Sequence, residues 1–229
     1  MRPLVIASDM WDEIAQLPGW FDCVEKIADG GILIVDSGSD DGTIEYCRDR
    51  GAVVIVDDII RREGYGPARN HLREMSRKYF PDAAWMAYLD ADERILPEDF
   101  HRLRFIKDYL INDYDCVCLP RIDWYGLEMN EAAKDWHVYP DWQARMTLLD
   151  SDISYVRRLH ENITGFKKMY MNLATPKINH FHRSAGKIKR DAVGKLCAKL
   201  HMEDDEYGNT YPEHHKEAYY RRLLEKEGL

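Results

Sequence analysis

The sequence predicts a layered α/β domain with a mostly parallel sheet, flanking helices and a helical C-terminal tail. Strand-like and helix-like segments alternate from Pro3 to Leu119, the pattern of a sheet whose crossovers are helices. The longest apolar runs, such as Gly31 to Val35, have the length of strands. The apolar run ending at Leu89 stops abruptly in carboxylates, and ligands of open α/β sheets bind at the carboxyl ends of strands. A length of 229 residues suits one large domain with a small appendage.

Taken in order, Pro3 to Ala7 reads as a short strand. Ile14, Leu17, Phe21, Val24 and Ile27 recur at helical spacing, with Pro18-Gly19 read as a break. Ile32 to Val35 is the second strand. Thr43 to Arg50 is a short helix stopped by Gly51, which suits a left-handed cap, and Ala52 to Val56 is the third strand. Pro67 stands where a helix tolerates proline. Ala68, Leu72, Met75 and Tyr79 then form one buried stripe, which places Arg69 in the first turn, off that stripe. Ala84 to Leu89 is the fourth strand. Pro97 opens a helix whose Phe100, Leu103, Ile106 and Leu110 share a face, and Cys116 to Leu119 is the fifth strand. After Arg121 the alternation lapses into an aromatic, polar stretch containing Trp124, Tyr125, Trp136, Tyr139 and Trp142. Strand-like Ala144 to Leu149 and Ile178 to His182 follow, and the tail from Gly186 is helical by pattern, interrupted at Gly208-Asn209-Thr210 and restarted by Pro212. The expected division is 1–182 for the catalytic domain, with halves 1–119 and 120–182, and 183–229 for the helical extension.

The composition, 45% hydrophobic and 32% charged, is that of a globular chain rather than a disordered one. Apolar runs are too short for a membrane-spanning helix, and the N-terminus has no signal-peptide layout. A cytoplasmic location is the default expectation, with membrane contact peripheral at most. Five scattered cysteines show no zinc spacing and read as reduced core residues. A net charge of -9 opposes bulk attraction to polyanions. Arg183 to Lys199 nevertheless concentrates basic residues around Asp191 alone.

Chemistry gathers in three places. In Trp85-Met-Ala-Tyr-Leu-Asp90-Ala91-Asp92-Glu93, side chains two apart on an extended segment point the same way. Asp90 and Asp92 can thus converge on Mg²⁺ or Mn²⁺ bridging a diphosphate. An acidic turn capping the next helix is the competing reading. In Asp36-Ser37-Gly38-Ser39-Asp40-Asp41-Gly42-Thr43, small residues suit a base or ribose lying close to the backbone, with Asp36 accepting from an imide or hydroxyls. A calcium loop is disfavoured, because Asp41 stands where that loop needs glycine; a plain turn with a helix N-cap is the remaining alternative. Gly64-Tyr65-Gly66-Pro67-Ala68-Arg69-Asn70 carries Arg69 where a dinucleotide fingerprint needs its last glycine.

These three elements, in this order, resemble the family-2 glycosyltransferases of GT-A fold. The resemblance implies a nucleotide-sugar donor, a UDP-sugar being favoured. It makes Asp36 a nucleobase contact, with Ala7, Ser37, Gly38 and Ala91 around the same ligand, and Arg69 a holder of the nucleotide or its phosphates. Asp90 and Asp92 become the metal and sugar-nucleotide motif. Ala7-Ser8-Asp9-Met10 departs from the Pro-x-Tyr-Asn often found after the first strand. Arg157-Arg158-Leu159-His160-Glu161-Asn162 and Ile178-Asn179-His180-Phe181-His182 resemble later segments of bacterial members. By that likeness Glu161 is the candidate base, with Asp141 a second candidate, and His180 is the third metal ligand; ring packing of His180 and His182 on one strand face is the alternative.

The function so implied is inverting transfer of a sugar to an acceptor hydroxyl. The aromatic stretch suits an acceptor platform. The basic segment suits an anionic acceptor, such as a lipid-linked glycan, a lipopolysaccharide core or a hydroxymethylated base in DNA. The rivals are a nucleotidyltransferase, for which the glycine- and lysine-rich phosphate loop is missing from Pro3 to Trp20, and a binding module without catalysis.

Overall fold

The computed structural model describes residues 2–110, 113–125, 129, 132, 139–182 and 187–203. The elements are β1 (Leu4–Met10), α1 (Leu17–Val24), β2 (Gly31–Asp36), α2 (Thr43–Asp49), β3 (Val53–Val56), α3 (Ile59–Glu63), α4 (Tyr65–Tyr79), β4 (Trp85–Tyr88) and β5 (Glu93–Arg94). A 3₁₀ turn at Pro97–Asp99 leads into α5 (Phe100–Tyr109). There follow β6 (Cys116–Tyr125), β7 (Asp141–Leu148), β8 (Ser154–Val156), β9 (Asn162–Thr164), β10 (Met169–Met171), β11 (Ile178–His182) and α6 (Lys187–Glu203).

Among the described residues nine strands form one sheet in the order β3-β2-β1-β4-β7-β6-β11-β5, with β10 beside the start of β6; β8 and β9 make a separate hairpin. The β3-β2-β1-β4 half is parallel, β7 runs against both β4 and β6, and β11 is parallel to β6. Both faces are covered, which is why β1 is buried along its whole length. Leu4 and Ile6 face a core shared with α1 and α5, including Trp20, Phe21, Leu103 and Ile106. Val5 and Ala7 face a second core with Ala68 and Leu72 of α4. Each fully buried Leu, Ile or Phe contributes roughly 1.5–3 kcal/mol, so the two cores fix the strand ends that carry the site.

The expected mostly parallel sheet with flanking helices is present, with several local corrections. Pro18 lies in the first turn of α1 and so starts the helix instead of breaking it, since a first-turn N–H lacks an intrahelical partner anyway. Strand β6 runs on through Trp124 and Tyr125, because β7 and β11 pair along it and supply the hydrogen bonds that an alternating pattern would otherwise have signalled. Trp124 donates its indole N–H to Asn179 at 3.0 Å. The short elements α3, β5, β8, β9 and β10 lacked any periodic signal. Trp136, Gly208-Asn209-Thr210 and Pro212, and the side chains of His182 to Arg190, lie outside the described residues. No helix among the described residues is long and apolar enough to cross a membrane.

Candidate active site

The acidic turn of residues 90–93 sits at the carboxyl end of β4. It is not the extended segment the spacing suggested. Strand pairing stops at Tyr88, and Glu93 N–H donates to the Asp90 carbonyl at 2.9 Å, closing a tight turn. The side chains of Asp90, Asp92 and Glu93 meet partners brought from distant elements, with Arg145 shared by Asp90 and Glu93.

Arg69 of α4 is the hub. It is only 4% exposed, where its spacing had placed it off the buried stripe. Its Nη1 lies 2.8 Å from Asp9 Oδ2 at the end of β1, its Nε 3.0 Å from Glu161 Oε1, and its Nη2 3.7 Å from Asp90 Oδ1. Its guanidinium carbon lies 3.3 Å from the centre of the Tyr88 ring. Arg145 of β7 also approaches that ring, 4.7 Å from the centroid. Its Nη2 reaches Asp90 Oδ2 at 3.0 Å and the fully buried Glu93 at 2.5 Å. Tyr88 completes the cluster by donating its hydroxyl to Asp90 Oδ1. Arginine suits such a place because its charge persists when buried and its planar fork serves several carboxylates.

These pairings divide the carboxylates by environment. Burial presses upward on Asp90, but Arg145 and Arg69 outweigh it and hold the group below the usual Asp range. Glu93 goes the other way, raised by burial more than its arginines lower it. Asp9 is raised by burial to about 7, with Arg69 only partly offsetting it, and its Oδ1 has no hydrogen-bond partner.

Beyond Glu93 the network continues to the second half of the sheet. His180 of β11 stands opposite Asp123 of β6 in register. Its Nδ1 lies 2.5 Å from Asp123 Oδ1, and its Nε2 lies 3.3 Å from Asp92 Oδ2. Burial alone would lower the imidazole, yet the bonds to Asp123 and Asp92 raise it to about 10. Asp141 is held by Arg121, whose Nη2 is 2.7 Å from Asp141 Oδ2, and by Gln143 at 3.0 Å. Arg121 also lies 3.6 Å from both Glu93 Oε1 and Asp123 Oδ1, so Asp141 joins the network through it.

The Gly64-to-Asn70 motif serves close approach of backbone rather than a phosphate cradle. The first amides of α4 are already occupied: Tyr65 N–H donates to the Arg158 carbonyl at 2.7 Å and Gly66 N–H to the Arg157 carbonyl at 3.1 Å. A Cβ on Gly66 would fall 2.2 Å from the Arg157 oxygen. Asn70 grips β8 like a strand neighbour, accepting from Tyr155 N–H and donating to the Tyr155 carbonyl, both at 2.7 Å. The segment so docked carries Arg157 and His160 at positive φ and delivers Glu161 to Arg69.

The Asp36 loop, by contrast, is closed on itself. Asp36 is fully buried. Its Oδ1 accepts from Gly38 N–H at 2.9 Å and Ser39 N–H at 2.7 Å, and its Oδ2 from the Ser39 hydroxyl at 2.7 Å. Gly38 supplies the positive φ of 86° that this turn needs. Ala7 lies deeper in β1, paired with Leu33 of β2 and Tyr88 of β4, and Met10 is the β1 residue opposite Asp36. Ala91 is buried in the turn between Asp90 and Asp92.

The sequence reading missed Asp9, Arg145, Arg121 and Asp123. Asp9 had a signal, an acid at the end of an apolar strand. The others lie within strands whose charged residues could equally have faced water.

Two structures of similar fold come from S. aureus TarS. One aligns with 98% of this chain and 42% of its own, at 12% identity and a TM-score of 0.50. The other, the 1–349 form, aligns with 98% and 69%, at 12% identity and a TM-score of 0.51. This chain thus spans less than half of the longer TarS chain, and at this identity the likeness concerns the fold alone. No curated protein sequence matches significantly. A family model described as glycosyl transferase family 2 matches residues 23–196, a range that takes in the Asp36 loop, Arg69, the acidic turn, Glu161 and His180. That match covers most of the chain, and the protein belongs to glycosyl transferase family 2.

Proposed function

We propose that the protein is an inverting glycosyltransferase that moves a sugar from a nucleotide-diphosphate sugar, a UDP-sugar being favoured, to an acceptor hydroxyl. The observation carrying this reading is the Arg69 hub. It sets one carboxylate from the distant Arg157-to-Glu161 segment beside the acidic turn at the end of β4. Glu161 is the base. Its side chain is 21% exposed, and Arg69 binds Oε1, which orients the carboxylate and leaves Oε2 to accept the proton of the attacking hydroxyl. Asp141, locked to Arg121, is the weaker candidate. Asp36 presents its buried loop to the nucleobase, alongside Ala7, Ser37 and Gly38. Arg69 acts on the donor indirectly, by orienting Asp90.

The residues present fit a divalent cation, Mn²⁺ or Mg²⁺, by donor type. Asp90 and Asp92 keep 35% and 33% of their side-chain surface open, while Glu93 is sealed. Asp123 engages one nitrogen of His180 and leaves the other toward Asp92, the arrangement that orients a ligating imidazole. Among the described residues no three such side chains already stand in a coordinating arrangement. Asp90, Asp92 and, on giving up its Nε2 proton, His180 would hold the ion, which would supply Lewis-acid stabilisation of the departing diphosphate.

The test is release of nucleoside diphosphate from a panel of nucleotide sugars with Mn²⁺. Glu161→Gln is expected to lower turnover by about 10²–10⁴-fold with donor affinity nearly unchanged, and Asp92→Ala to abolish metal-dependent turnover in a folded protein. Full activity of either variant refutes the corresponding role. Donor binding without release identifies a binding module.

A further inference from the structure

No acidic residue occurs between Glu161 and Asp191, although the chain carries 41 Asp and Glu. Within this acid-free segment, the part around β10 combines lysines with uncovered apolar side chains. Phe166 is 39% exposed, Met171 53% and Leu173 57%, and Lys167 and Lys168 are also exposed. The loop is preformed. Lys167 N–H and Lys168 N–H both donate to the buried Asp115 carboxylate, at 2.8 and 2.9 Å. Tyr170 packs edge-on against Tyr114, with ring centroids 5.0 Å apart, and Lys168 Nζ lies 4.5 Å from the Tyr114 centroid. Little ordering entropy is then lost on docking.

We propose that this surface, Phe166 to Leu173, docks the protein peripherally on an anionic lipid bilayer. Lysines next to large apolar side chains are the composition of an interfacial membrane contact: the cations meet the headgroups and the apolar tips enter the acyl boundary. A soluble polyanion would satisfy the lysines but leave Met171 and Leu173 without a partner, since it offers charge and flat bases rather than hydrocarbon.

The placement also separates docking from chemistry. β10 pairs with the first residues of β6, Met169 opposite Cys116, whereas the site uses Asp123 and His180 near its far end. Seven residues of strand put roughly 20 Å between them, so the docking surface does not overlap the site. The inference stands independently of the proposed sugar transfer.

The experiment is flotation of the full chain with vesicles of phosphatidylcholine alone or with phosphatidylglycerol, at low and high salt. Binding is expected only to the anionic vesicles and to weaken with salt. Lys167→Glu with Lys168→Glu should lower affinity by more than tenfold, at about fivefold for each positive charge removed. Phe166→Ser with Leu173→Ser should lower it by at least tenfold as well. Both variants should retain the wild-type circular dichroism spectrum and thermal midpoint. Failure of the wild type to float overturns the proposal, as does wild-type binding by either variant. Retention of the apolar variant with loss of the charge variant, together with binding to soluble heparin, assigns the surface to a soluble polyanion and also overturns it.

Discussion

Two acidic regions flank the ends of the parallel strands, and they are neutralised in opposite ways. The Asp36 carboxylate is satisfied by its own neighbours: Gly38 and Ser39 supply its donors, all within three residues. The 90–93 turn is satisfied from far away, by Arg69 of α4, Arg145 of β7 and His180 of β11. A self-closed loop is a fixed shape that a flat ligand can rest on. A turn held by remote cations depends on the packing of the whole sheet, and its charge can be re-partnered when a ligand arrives.

The largest effect that could break this contrast is at Arg145. Arg145→Met leaves Glu93 buried without its main partner, and urea denaturation should show a loss of about 3–5 kcal/mol. Adding Glu93→Gln should restore much of it, because the uncompensated charge is then gone. If the single variant is as stable as the wild type, the turn does not depend on remote cations.

The next effect is one of pH. Asp9 rises to about 7 by burial, so between its unfolded value, near 3.8, and 7 the folded state binds more protons than the unfolded one. Stability therefore falls as pH rises through that window. Relative to Asp9→Asn, the wild type should lose a few kcal/mol from pH 4 to pH 7 in equilibrium unfolding. A flat difference would show that Arg69 keeps Asp9 charged throughout.

Two glycines sharpen the comparison. Gly66→Ala places a methyl against the Arg157 carbonyl, and the overpacking should cost about 1–3 kcal/mol and reduce turnover by displacing Glu161. Gly38→Ala meets nothing within 4 Å and pays only for its positive φ, roughly 1–2 kcal/mol, with no effect on Glu161. Equal losses of turnover in the two would remove the distinction.

The smallest effect belongs to Asp41. Burial presses upward on it, but hydrogen bonds from Thr43 and Ile14 bring the group below the usual Asp value. Its contribution is present at neutral pH and lost as pH falls through that lowered value, the reverse of Asp9. Asp41→Asn should flatten the acid limb of the stability curve slightly and leave the pH 4 to 7 range unchanged.

Much of the fold was legible because its signals are local. β1, β2, α2 and β11 fall close to their sequence positions, since apolar runs, a glycine stop and helical spacing act within a few residues. The candidate site was legible in part. Asp36, Arg69, Asp90, Asp92, Glu161 and His180 could be singled out as residues, but not their partners. The burial of Arg69 illustrates why. Its helical spacing points away from the apolar stripe, and only the arrival of Asp9 and Glu161 makes a buried cation tolerable there.

By itself, then, the sequence determined the alternation of elements, the turn after the second strand and the presence of acids at strand ends, because turn chemistry and periodicity over a few residues dictate them. The tertiary structure alone decided that Gly66 marks a contact between backbones, that Arg69 and Arg145 clamp Tyr88 and Asp90, and that Glu161 joins them. Those pairings connect residues up to 92 positions apart, and a charge in a strand or helix carries no local mark of which distant carboxylate will make its burial affordable.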